Sequence, residues 1–304
     1  MNCIPSVLSV GDVVTLVAPS RFTTEDQVQA VTRLIEAEGF RVDVPDGLLN
    51  QDGQFGGEDR HRAKLIQTAW DKPGRGAVLP MRGGYGAGRL LPLLNFKSAA
   101  SPKWMCGFSD ITALHAHLNN AGVASFHSPV GSTLVNATKA SQDQFFAQLK
   151  GEERKLLSAS SEINEGACQG ELMGGNLSVL FSLNGTPYFP NLKGKILFLE
   201  DLDEMRYHLD RMLLNFKLAG VFDEVAGVLI GQISEMRDNT MEFGFSNENP
   251  FGKTTFEICK HYCQNLKVPV SMGFASGHEK ENLTLPFGQH VKMTVTEFDT
   301  NLAF

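Results

Sequence analysis

Asp12-Val-Val-Thr-Leu-Val-Ala-Pro-Ser20 is the stretch that decides the class of fold. Its run of β-branched and apolar residues indicates a buried strand, which Pro19 and Ser20 end. Thr24 and Gln27 then form a capping-box pattern, which predicts a helix from this point to near Gly39. A buried strand that leads at once into a helix opens a βα unit.

The same alternation of strand and helix continues along the first half of the chain. Strands are predicted over 41–44, 76–80 and 103–108, and helices over 60–70 and 110–120. Repeated βα units form a mainly parallel sheet with helices on both faces. The sequence therefore predicts an α/β fold, whose ligands bind beyond the carboxyl ends of the strands.

The regular alternation stops at residues 151–167, which are polar and lack core periodicity. Because 304 residues is long for a single core, we expect two domains, 1–150 and 168–304, joined by a linker over 151–167. The elements predicted in the second domain are a helix from Leu177, a strand over 195–199, a helix over 206–218, strands over 225–230 and 268–274, and a terminal hairpin over 282–298.

The composition limits the classes of partner. A formal net charge of −7 argues against a broad nucleic-acid or anionic-membrane surface, and an acidic substrate would need a local basic pocket. The start of the chain lacks a signal-peptide pattern, and no apolar run is long enough to span a bilayer. Five scattered cysteines fit a reducing compartment. We expect a cytoplasmic protein that binds neither nucleic acid nor membrane.

Cys259, His261 and Cys263 lie close together and raise the question of a metal site. They belong to a stretch with helical periodicity, 255–266, and no second pair of ligands follows at the spacing of a zinc site. The residues that we expect on the buried face of this helix are Ile258, Cys259, Tyr262 and Cys263. We therefore predict no metal.

Three distant segments each end on one residue of a possible acyl-transfer triad. Ser109 and Glu200 follow predicted strands, and His278 follows Gly277 at a third strand end. A strand end holds a side chain still while leaving it accessible, and the order Ser, acid, His is an allowed one. Asp201 is the rival acid, although an N-cap of the following helix is its simpler interpretation. The pattern predicts a serine hydrolase.

Ser109 lies between a predicted strand and a helix, so the free N–H groups of the helix start favour a developing oxyanion beside it. The backbone N–H of Asp110 is the natural first donor. Position 111 is Ile, so the turn is not the Gly-x-Ser-x-Gly of α/β-hydrolases. A plain helix N-cap is the alternative role of Ser109.

The glycine turn after the strand 76–80 favours the catalytic alternative. Either Gly83 or Gly84 can bring a backbone N–H close to a ligand and supply the second oxyanion donor. The lysine of a phosphate-binding loop is absent. Arg82 is placed to meet a substrate carboxylate, and Tyr85 is a further candidate for substrate binding.

The other histidines offer one alternative base. His127 follows a strand-like segment and is the reserve candidate. His115 lies near the apolar face of its helix and is expected to be packed, whereas His117 and His208 are expected on helix surfaces.

Taken together, the motifs closely resemble those of the LD-carboxypeptidases, a family of serine peptidases that includes murein tetrapeptide carboxypeptidases and microcin C immunity peptidases. The resemblance runs nearly end to end, and the joint order of the motifs is far more specific than any one of them. The motifs are Val17-Ala-Pro-Ser20, Arg82-Gly-Gly-Tyr-Gly-Ala-Gly-Arg-Leu-Leu91, Gly107-Phe-Ser-Asp110, Gly174-Gly-Asn-Leu177, Gly185-Thr-Pro-Tyr188, Leu199-Glu-Asp201, Asp210-Arg-Met-Leu213 and Gly277-His278.

The resemblance implies Ser109 as nucleophile, His278 as general base and acid, Glu200 as the residue that orients the histidine, and the N–H groups of Asp110 and Gly84 as oxyanion donors. It implies a flavodoxin-like N-terminal domain with a parallel sheet beside a smaller β-rich C-terminal α/β domain, with the triad across their junction. It also implies a cytoplasmic homodimer without metal or other cofactor. The expected partner is a small peptide, the murein tetrapeptide, from which terminal D-alanine is removed in cell-wall recycling.

Two alternatives stay open. One is a microcin C-type immunity amidase that cleaves aminoacyl-nucleotide conjugates, but its extra aromatic contact for a nucleotide is not identified in this sequence. The other is a non-catalytic binder of muropeptides, against which the presence of all three triad residues argues.

Overall fold

The computed structural model describes residues 2–98, 101–152 and 154–304. The strands are β1 (Val13–Val17), β2 (Arg41–Asp43), β3 (Gly76–Pro80), β4 (Trp104–Gly107), β5 (Ser125–His127), β6 (Lys155–Ala159), β7 (Ser161–Asn164), β8 (Gly166–Asn176), β9 (Ile196–Leu202), β10 (Gly227–Ser234), β11 (Val270–Met272), β12 (Leu285–Phe287), β13 (His290–Val295) and β14 (Asp299–Ala303). The α-helices are α1 (Glu25–Ala37), α2 (Asp59–Asp71), α3 (Thr112–Asn120), α4 (Gly131–Leu134), α5 (Lys139–Lys150), α6 (Leu177–Leu183), α7 (Arg206–Leu218), α8 (Val221–Glu224) and α9 (Thr255–Cys263). Short 3-10 helices cover Ala87–Leu93, Phe96–Ser98, Ser109–Ile111 and Met241–Phe243.

The chain divides into two compact units. The first holds Met1–Arg154, Leu183–Pro190 and Lys280–Gln289, and the second holds the rest. The predicted linker, 151–167, contains β6, β7 and the first residues of β8, so most of it forms strands of the second unit. The polar composition of 151–167 gave no signal for these strands. Strands β6 and β7 are the two edge strands of their sheet, where side chains that meet solvent are polar. The division into domains 1–150 and 168–304 stays a prediction.

The sheet of the first unit has the order β12-β5-β4-β3-β1-β2. Strands β2, β1, β3, β4 and β5 run parallel in the flavodoxin order, and β12 adds an antiparallel edge. The α/β class and the flavodoxin-like sheet are therefore confirmed. The carboxyl ends of β1, β3 and β4 are neighbours in this order, so the segments that follow them meet at one edge of the sheet.

Local sequence signals explain the elements of this unit. Thr24 and Gln27 form the predicted capping box at the start of α1, whose Val28, Val31 and Ile35 are buried. The rings of Trp104 and Phe126 stack with centroids 3.9 Å apart in the core. This apolar packing fixes β4, the strand that leads to Ser109.

The second unit is β-rich, as predicted. Its sheet has the order β6-β14-β13-β8-β9-β10-β11-β7, in which β8 to β11 run parallel and the outer strands antiparallel. The predicted hairpin over 282–298 is wrong. Strand β12 pairs with β5 of the first unit, and the terminal hairpin is β13 with β14. Alternation identifies a strand but not its partner, which is a long-range choice.

Helix α9 packs as its periodicity predicts. Its buried residues are Ile258, Cys259, Tyr262 and Cys263, while His261 is exposed. Burial raises the pKa of the Cys263 thiol to about 12, so this cysteine is a packing residue. Over 2–98, 101–152 and 154–304, no helix is both long enough and apolar enough to cross a bilayer.

Gly174 should tolerate no side chain. It has φ 156° on β8, and a Cβ there would lie 1.8 Å from the carbonyl oxygen of Phe198 on β9. We expect Gly174→Ala to lower the free energy of unfolding by roughly 3–5 kcal/mol, measured by urea denaturation, because backbone strain and overpacking add. Gly185→Ala is the matched control. Gly185 has φ 81° with open space around it, so about 1–2 kcal/mol is expected. Equal losses at the two positions would contradict the packing argument.

Candidate active site

The turn that carries Ser109 is strained. Strand β4 ends at Gly107 with φ 134°, and Ser109 then adopts φ 59°, a left-handed conformation that is uncommon for a residue with a side chain. Ser109 is half-buried, and no residue described in the first unit forms a hydrogen bond with its hydroxyl group. The N-cap position belongs to Phe108, so the alternative of Ser109 as a plain helix N-cap is wrong. Ser109 thus lies on a sharp strand-to-helix turn, a position that can present a side chain for reaction.

The glycine loop lies against Ser109. A Cβ placed on Gly83 would be 3.1 Å from the Cβ and 3.2 Å from the Oγ of Ser109, and Gly84 follows with φ 114°. Gly84 thus needs glycine for its backbone conformation, and Gly83 lets the loop approach Ser109 closely. In the same loop, Arg82 donates a hydrogen bond to the carbonyl of Phe22 at 3.3 Å, and Tyr85 is 57% exposed.

Asp110 connects this loop to the turn after β1. Its buried carboxylate oxygen Oδ2 accepts hydrogen bonds from the Ser20 hydroxyl at 2.5 Å and from the Ala87 backbone N–H at 2.8 Å. Burial raises the pKa of the Asp110 carboxyl, and the hydrogen bonds from Ser20 and Ala87 counteract only part of this effect. The side chain of Asp110 therefore fixes three loops relative to one another.

Arg62 holds the same loops from helix α2. It is fully buried, and its guanidinium donates hydrogen bonds to the carbonyls of Pro19, Gly86 and Gly57 and forms an ion pair with Asp59. We call Arg62 and Asp110 the loop clamp. Arg62 donates hydrogen bonds to the turns after β1 and β3, and Asp110 accepts hydrogen bonds from the same two turns. Sequence reasoning missed Arg62, since nothing in α2 distinguishes it from a surface arginine; Ser20 lay in a motif but had no assigned role.

In the second unit, Glu200 and His278 form a hydrogen-bonded pair. Nδ1 of His278 lies 2.6 Å from Oε2 of Glu200, which is fully buried, and the His278 side chain is 10% exposed. Because a carboxylate only accepts, Nδ1 carries the donated proton and proton exchange takes place at Nε2. The structure thus brings two of the three predicted triad residues together. Ser109 belongs to the first unit, so the complete triad stays a prediction.

The charge on Glu200 makes His278 more basic. Burial lowers the pKa of His278, but the charge and hydrogen bond of Glu200, together with the charges of Asp201 and Glu235, raise it by more in sum. The net pKa lies above the usual value for histidine. The neutral ring, which is the form that acts as a base, therefore becomes the major form only at a higher pH than usual.

A β-bulge holds the loop that carries His278. Strand β10 shifts its register between Ile230 and Ile233, and inside the bulge the Gln232 N–H donates to the Ser276 carbonyl at 3.0 Å. The Gln232 side chain then accepts from the Glu279 N–H at 3.2 Å. The bulge thus contacts the chain on both sides of His278.

Asp201 has a different task from that of Glu200. It accepts hydrogen bonds from the Asn176 side chain at 2.9 Å and from the Ser178 N–H at 3.0 Å. It therefore supports the start of α6, and its interpretation as the N-cap of the following helix is wrong. Burial and the nearby Glu200 charge raise the pKa of Asp201 to about 7.

The other histidines that the sequence analysis considered are buried or half-buried. His115 is buried as predicted, with Nε2 donating to the Gly107 carbonyl and Nδ1 facing the Ser125 hydroxyl, each at 2.8 Å. Burial lowers its pKa to about 3, so the ring stays neutral. His117 and His208, predicted on helix surfaces, are both half-buried. The reserve base, His127, is fully buried in β5 beside Phe108 and Phe287.

Glu200→Gln should lower the pKa of His278, since the variant removes the charge that raises it. NMR titration of the imidazole C–H resonance measures this pKa directly. Glu235→Gln is the control. Glu235 is exposed and acts only by its charge, so its variant should give a smaller decrease in the same direction. An unchanged pKa in Glu200→Gln would show that the pair does not control the basicity of the ring.

Two domain models of one sequence family match the chain. Residues 14–128 match the LD-carboxypeptidase N-terminal domain, and residues 169–293 match the LD-carboxypeptidase C-terminal domain. The chain is 32% identical to a probable murein peptide carboxypeptidase of Bacillus subtilis, and the alignment covers 98% of this chain and 93% of the relative.

Solved structures share the fold. The muramoyltetrapeptide carboxypeptidase of Oxalobacter formigenes superposes with a TM-score of 0.84 at 26% identity, over 96% of this chain and 99% of that chain. The microcin C7 self-immunity protein MccF, in complex with aspartyl sulfamoyl adenosine, superposes with a TM-score of 0.84 at 21% identity, over 100% and 98% of the two chains. This second likeness shows the fold alone. By sequence and by fold, the chain belongs to the LD-carboxypeptidase family and is a serine-type carboxypeptidase.

Proposed function

We propose that the protein hydrolyses the L,D-peptide bond between meso-diaminopimelate and the terminal D-alanine of murein tetrapeptide, in cell-wall recycling in the cytoplasm. The observation that carries this proposal is the hydrogen bond of 2.6 Å between His278 and the buried Glu200, in a family of serine peptidases. The names of the Bacillus subtilis and Oxalobacter formigenes relatives support the substrate class.

The proposed reaction uses Ser109 as the nucleophile. Nε2 of His278 takes the hydroxyl proton while Oγ of Ser109 bonds to the diaminopimelate carbonyl carbon. Glu200 stabilises the imidazolium that forms. His278 then gives the proton to the leaving amine, the C–N bond breaks, and D-alanine departs. In the second half of the reaction, His278 takes a proton from water as the water oxygen bonds to the acyl carbon. His278 then returns that proton to Oγ of Ser109 as the ester bond breaks, which releases the tripeptide.

Backbone N–H groups are the proposed oxyanion donors. We assign these roles to Asp110 and Gly84, with Gly83 as the alternative within the loop, since Gly83 packs against Ser109. The loop clamp supports this assignment because it fixes the backbone of residues 86–87, just beyond the glycines, before substrate arrives. Pre-positioned donors stabilise the charge of the transition state without reorganisation.

Arg82 and Tyr85 are proposed as substrate contacts on the same loop. We also propose a homodimer that needs no metal or other cofactor and binds neither nucleic acid nor membrane. The microcin C-type amidase is the second candidate, and its support is the shared fold with MccF at 21% identity. Parallel assays with tetrapeptide and an aminoacyl sulfamoyl adenosine separate the two: exclusive turnover of the conjugate would replace the murein proposal.

Ser109→Ala should lower kcat for release of D-alanine by roughly 10⁴-fold or more, because the acyl-enzyme cannot form. The measurement is chromatographic conversion of tetrapeptide to tripeptide. Ser132→Ala is the control, because Ser132 is also half-buried in the first unit but lies on α4. Full activity in Ser109→Ala would remove Ser109 from the mechanism, and a wild-type protein that binds tetrapeptide without turnover would favour a binder.

Ser20→Ala should lower kcat by about 10- to 100-fold with little change in KM, since the loop clamp loses one of its bonds and the oxyanion donors lose their alignment. The control is Ser141→Ala. Ser141 is equally buried and bonds to the Asn282 N–H, so its loss costs similar stability. A similar decrease in Tm for both, with kcat reduced only in Ser20→Ala, is the expected result. Equal kcat values would contradict a positioning role for Ser20.

A further inference from the structure

A carboxypeptidase must recognise the terminal carboxylate of its substrate, and this chain has a net charge of −7. An anionic peptide therefore needs a local cation beside the oxyanion donors. The described part of the first unit provides one such cation that sequence reasoning did not consider, Arg21, which directly follows Ser20 of the loop clamp.

The backbone of Arg21 is held on two sides. On one side, Arg21 forms a β-bridge with Phe55, and the flanking Phe22 N–H donates to the Gln54 carbonyl at 3.1 Å. On the other side, the Arg21 N–H faces the Gly83 carbonyl at 3.5 Å. The Cα position of Arg21 is thus fixed relative to the glycine loop, which limits the entropy lost when its side chain binds a ligand.

The side chain of Arg21 lies over Gly84. A Cβ on Gly84 would be 2.7 Å from Nε and 2.8 Å from both Cγ and Cδ of Arg21. Only glycine leaves room for this arrangement, so the missing side chain of Gly84 serves the arginine as well as the backbone conformation. The guanidinium consequently lies beside the residue that we propose as an oxyanion donor.

Arg21 is exposed. Within the residues that the structure describes, it forms no ion pair and its guanidinium donates no hydrogen bond. The neighbouring arginines are engaged. Arg62 and Arg89 pair with Asp59, and Arg82 donates to a backbone carbonyl. Among the described arginines of this region, Arg21 is therefore the one whose guanidinium keeps all its donors for an incoming carboxylate.

The order of these neighbours suits the end of a peptide. Gly83 lies beside Ser109, and the next residue, Gly84, lies beside Arg21. In the substrate, the terminal carboxylate likewise lies one residue beyond the scissile carbonyl. We infer that Arg21 binds the carboxylate of the departing D-alanine and makes the enzyme specific for a free carboxyl end. This inference rests on the proposed function.

The test compares the tetrapeptide with its C-terminal carboxamide, which keeps the shape and removes the charge. Wild type should prefer the free acid in kcat/KM by roughly 10- to 100-fold, the range for a charge-assisted hydrogen bond. Arg21→Gln should reduce this preference to near unity by losing activity on the acid alone. Arg21→Lys should keep part of it, since lysine retains the charge but not the fork of donors.

Arg89→Gln is the matched control, because it removes a paired cation from the same region and should leave the preference unchanged. Arg82→Gln should reduce the preference less than Arg21→Gln does. A wild-type preference retained in Arg21→Gln overturns the inference while the proposed function stands. Failure of the wild type to hydrolyse the tetrapeptide overturns the proposed function, and the inference with it.

Discussion

The buried side chains of Arg62 and Asp110 are the constraint on which the first half of the site depends. Arg62 donates to the carbonyls of Pro19 and Gly86, and Asp110 accepts from Ser20 and Ala87, so the turns after β1 and β3 are held from opposite sides. Burying a guanidinium and a carboxyl group is costly unless each is hydrogen-bonded. Here the polar groups of three irregular loops supply those bonds. The same bonds restrict the backbone conformations of the loops. The strained turn at Ser109 persists because its surroundings are fixed in this way.

In the second unit, strands of a sheet rather than loop contacts hold the functional side chains in place. Glu200 lies in the second half of β9, which has a parallel neighbour on each side, and its buried carboxylate meets the ring of His278 at 2.6 Å. A bulge in β10 bonds to the segment that carries the histidine. Asp201, the next residue along, faces the start of α6 instead, because successive side chains of a strand point to opposite sides. Adjacent carboxylates thus take separate roles, one toward the imidazole and one toward a helix.

Much of this could be predicted from sequence because the signals are local. The capping box of α1, the buried face of α9 and the βα alternation all arise within a few residues of one another, and each was confirmed. The hairpin over 282–298 failed for the opposite reason. Its first strand pairs with β5, more than 150 residues earlier, and nothing within β12 encodes that choice. Strands β6 and β7, which lie within 151–167, were not predicted because edge strands carry polar residues and look like loops in the sequence.

By itself, the sequence determined the class of fold, the family and the candidates Ser109, Glu200 and His278, since strand ends, glycine turns and ordered motifs are written in short stretches. Only the tertiary structure decided which acid meets the histidine, that Arg62 and Ser20 position the glycine loop, and that Arg21 lies over Gly84. These facts depend on side chains that are distant in sequence and are packed together by the sheets. A pattern of residue types cannot show which buried donor finds which acceptor, because that pairing is settled by the geometry of the folded chain.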